Sequence, residues 1–553
     1  MIPLFIMAIT TSPESPHGVD VLRAAPPQYA DIVSSESLAF LAALEREFRT
    51  WREALLERRS ALQLEIDGGL LPDFPFSTTG IRKATWQVAP IPDDLLDRRV
   101  EIITPPHRSA LVDALDSGAN VCIADFEDFL SPTWENLVTG QSNVRNAIRG
   151  TLQAGPTKDQ HESAKPALMI RPRGLHLSEP RVLVDGKPMA ASVFDFGLFF
   201  FHNARALVNE GTAPYVYIPK LEHPHEARFW NSLFCKAQDL FGIPRGTIRA
   251  AVFIETLPAI FQADEILFEL QDHSAGLSCG KSDYIFSCIK TLRKHQRPFL
   301  PNREMFTVHS RFLRAYSHLL VQVCHRRGIH AIGGFSAYDP IHREFTGTQP
   351  ALSRRHVDKQ HEERIILKRI RLEKEQEALD GHDGAIVSHP ELVPHVRKVF
   401  DARMNRAHQI HVSRNDVHIG AKDLYDTPRG EITQRDISGN INIALQYLAS
   451  WFSGTGSIST NNEVVNTAVT EICRTQLWQW LHHPSVRVSG GFAFTEEVYR
   501  SLSSGELAKL QNVLGDRFDR KRFTQAAELL DSLVLQDTLA DGFFTSRAMS
   551  YIN

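Results

Sequence analysis

Between residues 98 and 389 the chain alternates short apolar runs with helical patterns or longer loops. The runs read Val100-Glu-Ile-Ile-Thr, Val121-Cys-Ile-Ala-Asp, Ala167-Leu-Met-Ile-Arg, Tyr215-Val-Tyr-Ile-Pro, Ala250-Ala-Val-Phe-Ile-Glu, Ala275-Gly-Leu-Ser-Cys, His330-Ala-Ile-Gly-Gly and Ala385-Ile-Val-Ser-His. A strand buried on both faces reads as a continuous apolar run, and eight strand–helix units of this kind predict an α/β protein built on a closed (β/α)8 barrel. Ahead of the runs, Leu38, Leu41, Leu44 and Phe48 recur at helical spacing, which predicts a helix from about Ser35 that ends near Gly68-Gly69. Arg354 to Leu379 predicts a charged amphipathic helix, with Ile365, Leu372 and Leu379 at heptad spacing and Ile366 and Ile370 beside them. It reads as a solvated helix between the last two barrel strands. Beyond about residue 415 the pattern is helical again, from Ile441 through Trp451, across a Gly-Thr-Gly-Ser loop, and then from Val464 to Trp480. The expected organisation is an N-terminal helical unit over 1–95, the barrel over 96–412 and a C-terminal helical domain over 413–553.

At 553 residues the chain is well beyond the roughly 250–300 at which a single core stops growing, in keeping with more than one unit. Its 42% hydrophobic and 23% charged content is that of an ordinary globular protein rather than of a disordered or membrane chain. A net charge of -4 supplies no basic field to hold a polyanion, so nucleic acid is not expected as a partner and small substrates are. The cysteines Cys122, Cys235, Cys279, Cys288, Cys324 and Cys473 stand singly, which fits free thiols in a reducing compartment and indicates neither a zinc site nor a disulfide framework. No apolar stretch approaches the roughly 20 residues of a membrane span. The opening Met-Ile-Pro-Leu-Phe-Ile-Met run lacks a basic flank and reads as disordered, with Met7 an alternative start. The closing Ser-Tyr-Ile-Asn is not a peroxisomal address, and the cytoplasm is the expected compartment. The oligomeric state stays open.

The C-terminal ends of barrel strands converge on one mouth, where catalytic groups sit. Asp125, Glu127, Arg171, Lys220, Glu255, Asp283 and Gly333-Gly334 all fall at or just past such ends. Glu255 and Asp283 follow consecutive strands, so their carboxylates should face one another; they suit Mg2+, or each suits a salt bridge to Arg or Lys. Arg171 and Arg173 flank Pro172 and present a fork of donors, either to a substrate carboxylate or oxyanion or to a mouth acid such as Glu127. Asp125-Phe-Glu-Asp128 places three acids within four residues, plausible as water holders. The backbone of Gly333 and Gly334 could approach an anionic ligand, although such a pair is as often a plain turn. His107, His176, His382 and His389 are assigned no role. The chain carries no GxGxxG, Walker, GxSxG or HExxH motif.

Taken together, Ala124-Asp-Phe-Glu-Asp with Ser131-Pro-Thr-Trp-Glu-Asn, Arg171-Pro-Arg-Gly, Phe194-Asp-Phe-Gly-Leu with Phe201-His-Asn, Ile254-Glu-Thr-Leu-Pro-Ala, Asp272-His-Ser-Ala-Gly-Leu, Asp283-Tyr-Ile-Phe-Ser and Gly381-His-Asp-Gly resemble malate synthase of the shorter, A-type form. They run in order over about residues 98–480. The resemblance implies an N-terminal helical clasp and a C-terminal helical plug around the barrel, and an enzyme that condenses acetyl-CoA, or another acyl-CoA, with glyoxylate or a related α-oxo acid before hydrolysing the thioester. It implies that Glu255 and Asp283 hold Mg2+, that Arg171 stabilises the enolate or alkoxide, and that Asp125 and Glu127 organise metal-bound water. It also implies a general base, for which the family uses the Asp of a Glu-Asp pair. Aligned from Glu471-Ile-Cys-Arg, that pair is Val465-Asn466 here. Glu463, three residues earlier, is the nearest substitute. Ser278, Lys281 and Ser282 stand where the family has Asn, Arg and Trp, and Phe335-Ser336 replaces Met-Ala. Thr104 and His107 alter the first strand's usual loop, and Ile386 replaces a Trp. Such a set leaves room for changed chemistry, namely acyl-CoA hydrolysis or retro-aldol cleavage, or for a catalytically silent ligand-binding protein.

Overall fold

The computed structural model describes residues 16–152, 165–295, 300–307, 309–336, 338, 356–460, 462–484, 486–491, 493–540 and 542–552. The opening apolar run and the first two residues of the predicted charged helix, Arg354 and Arg355, lie outside the described residues. The eight expected runs are the eight strands of a closed, all-parallel barrel: β1 (Val100–Thr104), β2 (Val121–Asp125), β3 (Ala167–Arg171), β4 (Tyr215–Ile218), β5 (Arg249–Ile254), β6 (Ser274–Cys279), β7 (Ala331–Gly333) and β8 (Gly384–Val387), each paired to its sequence neighbour, with β8 closing on β1. Alternation along each strand splits two cores. Ile103, Ile123, Met169, Tyr217, Ala251 and Phe253 fill the interior. Ile102, Cys122, Ile170, Val216, Val252 and Ile254 face the surrounding helices. The continuous apolar runs are thus strands with something to bury on both sides.

Helix α1 (Ser35–Asp67) starts where the Ser34 side chain accepts the Ser37 N–H and ends at Gly68. Its buried stripe, including Leu38, Leu41, Leu44 and Phe48, packs on the barrel's outer helices, with Phe48 edge-on to Phe229 at 5.4 Å. Helix α2 (Lys281–Thr291) follows β6, and α3 (His356–Asp380) precedes β8. In the C-terminal region α4 (Gln434–Phe452) opens with a capping box between Thr433 and Asp436, and α5 (Thr467–His482) packs against α4 and α2. Among the described residues no helix is long and apolar enough to cross a membrane.

Two features depart from the expected pattern. Strands Val19–Val21, Ser178–Val184 and Lys187–Ala190 form a small antiparallel sheet, whose hairpin turns on Asp185 (φ 52) and Gly186 (φ 75). Asp-Gly at two positive-φ positions is the signal of a tight hairpin turn, and it stands in plain sight in the sequence. The helix expected from Val464 starts instead at Thr467, because Glu463–Val465 pairs as a strand with Ile458–Thr460. Asn466 thereby becomes the cap of α5 rather than a residue within it.

Candidate functional site

Strand register sets the first contact of the mouth. Asp125 and Arg171 are paired neighbours on β2 and β3, and Arg171 Nη1 donates to Asp125 Oδ2 at 3.2 Å. The same nitrogen donates to Asp128 Oδ2 at 2.5 Å, while Nη2 donates to both oxygens of Glu255 at 3.2 and 3.1 Å. The guanidinium lies 4.5 Å over the Phe253 ring, which fixes its plane. Its Nε–H is buried without a hydrogen-bond partner.

Lys220, just past β4, adopts φ 56, an uncommon conformation for a residue with a side chain. That turn lets its N–H reach Glu255 Oε1 at 2.7 Å while Nζ reaches Asp128 Oδ1 at 2.8 Å and Asp283 Oδ1 at 3.1 Å. The Phe543 ring covers the ammonium at 4.5 Å. Gly280 is needed between β6 and α2, since a Cβ there would come within 2.4 Å of Glu255 Cβ and force the two strand ends apart. Glu255 and Asp283 therefore meet as their positions on adjacent strands predict.

Five buried carboxylates, Asp125, Glu127, Asp128, Glu255 and Asp283, face two buried cations, Arg171 and Lys220. Burial pushes Glu255 well above the ordinary carboxyl range, helped by the charge of Asp283, and raises Asp283 and Asp125 against the pull of Lys220 and Arg171. Burial together with neighbouring Asp128 brings Glu127 up to about 7, against the pull of Lys220. Only Asp128 ends below its usual value, because Arg171 and Lys220 together outweigh its burial. Such a cluster is short of positive charge. Oxygens of Asp128, Glu255 and Asp283 all lie within 4.8 Å of one another, a hard, anionic donor set of the kind Mg2+ takes, and a divalent ion would offset most of the excess.

A cavity of about 40 Å3 opens on this cluster, against the roughly 10–15 Å3 that one water needs. Its apolar walls include Ile103, Phe129, Phe253, Phe335 and Ile386; its polar and charged lining is Asp128, Arg171, Glu255, Lys281, Ser282, Asp283 and Asn466. Asn466 Oδ1 accepts the Val469 N–H at 3.2 Å, as an N-cap oxygen must, so its amide nitrogen is left as a donor at the cavity. The start of α5 is held on the acid loop by Thr467, whose N–H donates to the Asp128 carbonyl at 3.3 Å.

The remaining expected residues fall nearby but outside the lining. Asp125 Oδ1 turns back to accept the Glu127 and Asp128 N–H groups, and Glu127 accepts from Gly174 N at 2.8 Å. Both brace the acid loop from behind. Gly333 and Gly334 leave room for neighbouring side chains: a Cβ on Gly333 would lie 2.3 Å from Glu377 Oε2, and one on Gly334 would press on Lys281. Glu463 pairs with Arg303 at 2.6 Å and is not part of the lining. Asp128 and Lys220 are the residues whose weight the sequence understates. Asp128 is hidden among three acids in four residues, and Lys220 carried no signal beyond its place after a strand.

Comparison with known proteins agrees across the chain. Residues 17–79 match the family described as "Malate synthase, N-terminal domain", 167–427 match "Malate synthase, TIM barrel domain", and 431–552 match "Malate synthase, C-terminal". The malate synthase of Myxococcus xanthus is 43% identical over 519 residues, covering 93% of each chain. That of Oryza sativa is 41% identical over 98% of this chain and 95% of its own. Malate synthase A of Escherichia coli is 40% identical over 93% of this chain and 94% of its own.

Proposed function

The chain belongs to the malate synthase family, and from that membership we propose that it is a C–C bond-forming acyltransferase that condenses acetyl-CoA with glyoxylate and hydrolyses the resulting thioester to malate. The observation that carries the reading is the convergence of Arg171, Glu255, Asp283 and Asp128 on one small cavity walled by apolar rings. Glu255 and Asp283, with Asp128 beside them, would hold Mg2+, which supplies Lewis acidity to an α-oxo acid. Arg171 is held rigid by four carboxylate contacts and by Phe253, and its guanidinium lines the cavity, where it would stabilise the oxyanion that develops on the acyl carbonyl or the new alkoxide. The apolar walls exclude bulk water and strengthen that interaction. The six cysteines are free thiols, in keeping with the cytoplasm as the compartment we propose.

One observation favours a second reading. The Asn466 amide faces the cavity as a donor, and an amide takes no proton at neutral pH. Chemistry that needs no proton removed from an acetyl methyl, such as acyl-CoA hydrolysis or cleavage of a hydroxyacyl thioester, or binding without turnover, would keep the same cavity. The deciding experiment supplies acetyl-CoA, Mg2+ and glyoxylate, follows free CoA, and identifies the acid formed by mass spectrometry. Malate in step with CoA is the expected result. CoA release that does not depend on glyoxylate would replace it with hydrolysis, and no CoA with any acyl donor would leave a binding protein.

A further inference from the structure

Past their last paired residues, Ile254 and Cys279, strands β5 and β6 are joined by a side chain from another element. Tyr316 lies on the helix Arg311–Arg326, which falls between α2 and β7 in the chain, and it is fully buried. Its hydroxyl donates to the Ile254 carbonyl and accepts the Gly280 N–H at 2.9 Å. These are the acceptor and donor with which the parallel ladder would continue, so the hydroxyl stands where the next ladder bond would run. Ile254 is the residue before Glu255. Gly280 caps α2, and its carbonyl accepts the Tyr284 N–H at 2.9 Å to close the turn that carries Asp283. One hydroxyl thus ties together the backbone on which both carboxylates stand. Its aim is fixed by the ring, which stacks on Tyr284 at 4.2 Å and 14°. Tyr284 stacks in turn on Phe312, one helical turn before Tyr316, and anchors its own hydroxyl on the Leu424 carbonyl at 2.7 Å.

We infer that Tyr316 is a positioning residue for the metal site: its hydroxyl sets the spacing between the ends of β5 and β6, and so the separation of Glu255 and Asp283, without touching ion or substrate. The inference rests on the Mg2+ site proposed above. Without the hydroxyl, the Ile254 carbonyl and the Gly280 N–H each lose a partner, and each becomes the other's replacement. Closing that bond draws Gly280 onto Glu255, whose Cβ already stands 2.4 Å from where a Gly280 Cβ would be. The Glu255 carboxylate must then move relative to Asp283. Mg2+ takes its ligands at about 2.0–2.1 Å in near-octahedral geometry, so a displacement of about half an ångström is enough to weaken its binding.

Tyr316→Phe keeps the ring and its stack and removes only the bridge. Calorimetric titration of the full chain with Mg2+ alone should show the dissociation constant raised about tenfold or more, the usual consequence of removing a group that holds a metal ligand in place. Tyr284→Phe is the companion variant. It removes a buried hydroxyl–carbonyl bond from the same stack but leaves both strand ends tied, so it should lower the melting temperature about as much as Tyr316→Phe and leave Mg2+ affinity unchanged. Equal Mg2+ affinity in Tyr316→Phe and wild type would overturn the inference while the metal site stands. Equal weakening in both variants would assign the effect to the ring stack rather than to the hydroxyl, and would overturn it as well. If wild type itself bound no Mg2+, the metal reading would fall and this inference with it.

Discussion

Replacing Asn466 by Asp tests the site at its most informative atom. Asn and Asp cap helices about equally well, and a carboxylate at a helix N-terminus gains about 0.3–1 kcal/mol, so the α5 cap at Val469 N survives the exchange. Against that, residue 466 is only 4% exposed and shares its cavity with Asp128, Glu255 and Asp283, which raises the new carboxyl toward neutrality. The two effects offset, and folding stability should stay within about 1 kcal/mol of wild type. Activity should change far more. A positioned base contributes about 10²–10⁴-fold, or roughly 2.7–5.4 kcal/mol of barrier, and the variant supplies one where the wild type presents an amide donor. The assay is malate formation from acetyl-CoA and glyoxylate, together with deuterium uptake into the acetyl methyl in the presence of Mg2+. Uptake should rise by at least about 10²-fold in Asn466→Asp, with a rate that climbs as the carboxyl ionises. If wild type exchanges and condenses as fast as the variant, a different group removes the proton and the reasoning from the cap fails. Asn466→Ala separates the two roles, since it costs about 1 kcal/mol of cap and removes the donor without adding a base.

Two further perturbations follow from the buried charges. Asp128→Asn leaves Lys220 on Asp283 and Arg171 on Asp125 and Glu255, so the apo fold should persist while Mg2+ affinity, read by calorimetry or by the Mg2+-induced rise in melting temperature, falls about 10–100-fold; an unchanged affinity would remove Asp128 from the metal site. His330 is buried and pushed down to about 3 by its burial, with Arg98 and His408 adding to the effect, whereas the unfolded chain protonates it near 6.5. The unfolded state therefore binds the proton first as pH falls, and wild type should lose about 1.4 kcal/mol relative to His330→Gln between about pH 7.5 and 5.5, measured by urea unfolding; a difference independent of pH would show that the ring titrates alike in the folded and unfolded chain, and so that burial does not depress it.

All eight barrel strands were legible because the barrel buries both faces of each strand, which removes the polar half of the usual alternation and leaves an apolar run that few other elements produce. The strand-end acids Glu255 and Asp283 were legible for the same reason, since their positions follow from the strands that carry them. What stayed hidden depended on backbone geometry too local or too distant for pattern. Asp125 looked like a cavity acid, yet its Oδ1 turns back onto the N–H groups of Glu127 and Asp128, and Asp128 rather than Asp125 lines the cavity. Lys220 reaches the acids only through a left-handed turn that a lysine does not advertise. Phe543 arrives over Lys220 from the far end of the chain, placed by the Phe544 N–H on Glu471 and the Gly542 carbonyl on Arg474. At Gly333-Gly334 the structure adds a packing need that the sequence did not show, since a Cβ on either would crowd Glu377 or Lys281.

Those long-range contacts bear on how the site is assembled. Asp128 offers its side chain to Arg171 and Lys220 and its carbonyl to Thr467 at the head of α5, while Glu471 and Arg474 on the same helix hold the segment that lays Phe543 over Lys220. The acid cluster is thus complete only when the C-terminal helices sit on the barrel. A barrel alone would leave Lys220 uncovered and Asn466 absent, with five carboxylates exposed to water that screens and solvates them. Docking α5 removes that water and raises the acids that now lack solvation, which would strengthen the attraction for a divalent ion bound there. If Mg2+ binds this cluster as proposed, its affinity and the attachment of the C-terminal region would be coupled by the same few contacts, so that a change that loosens one should weaken the other.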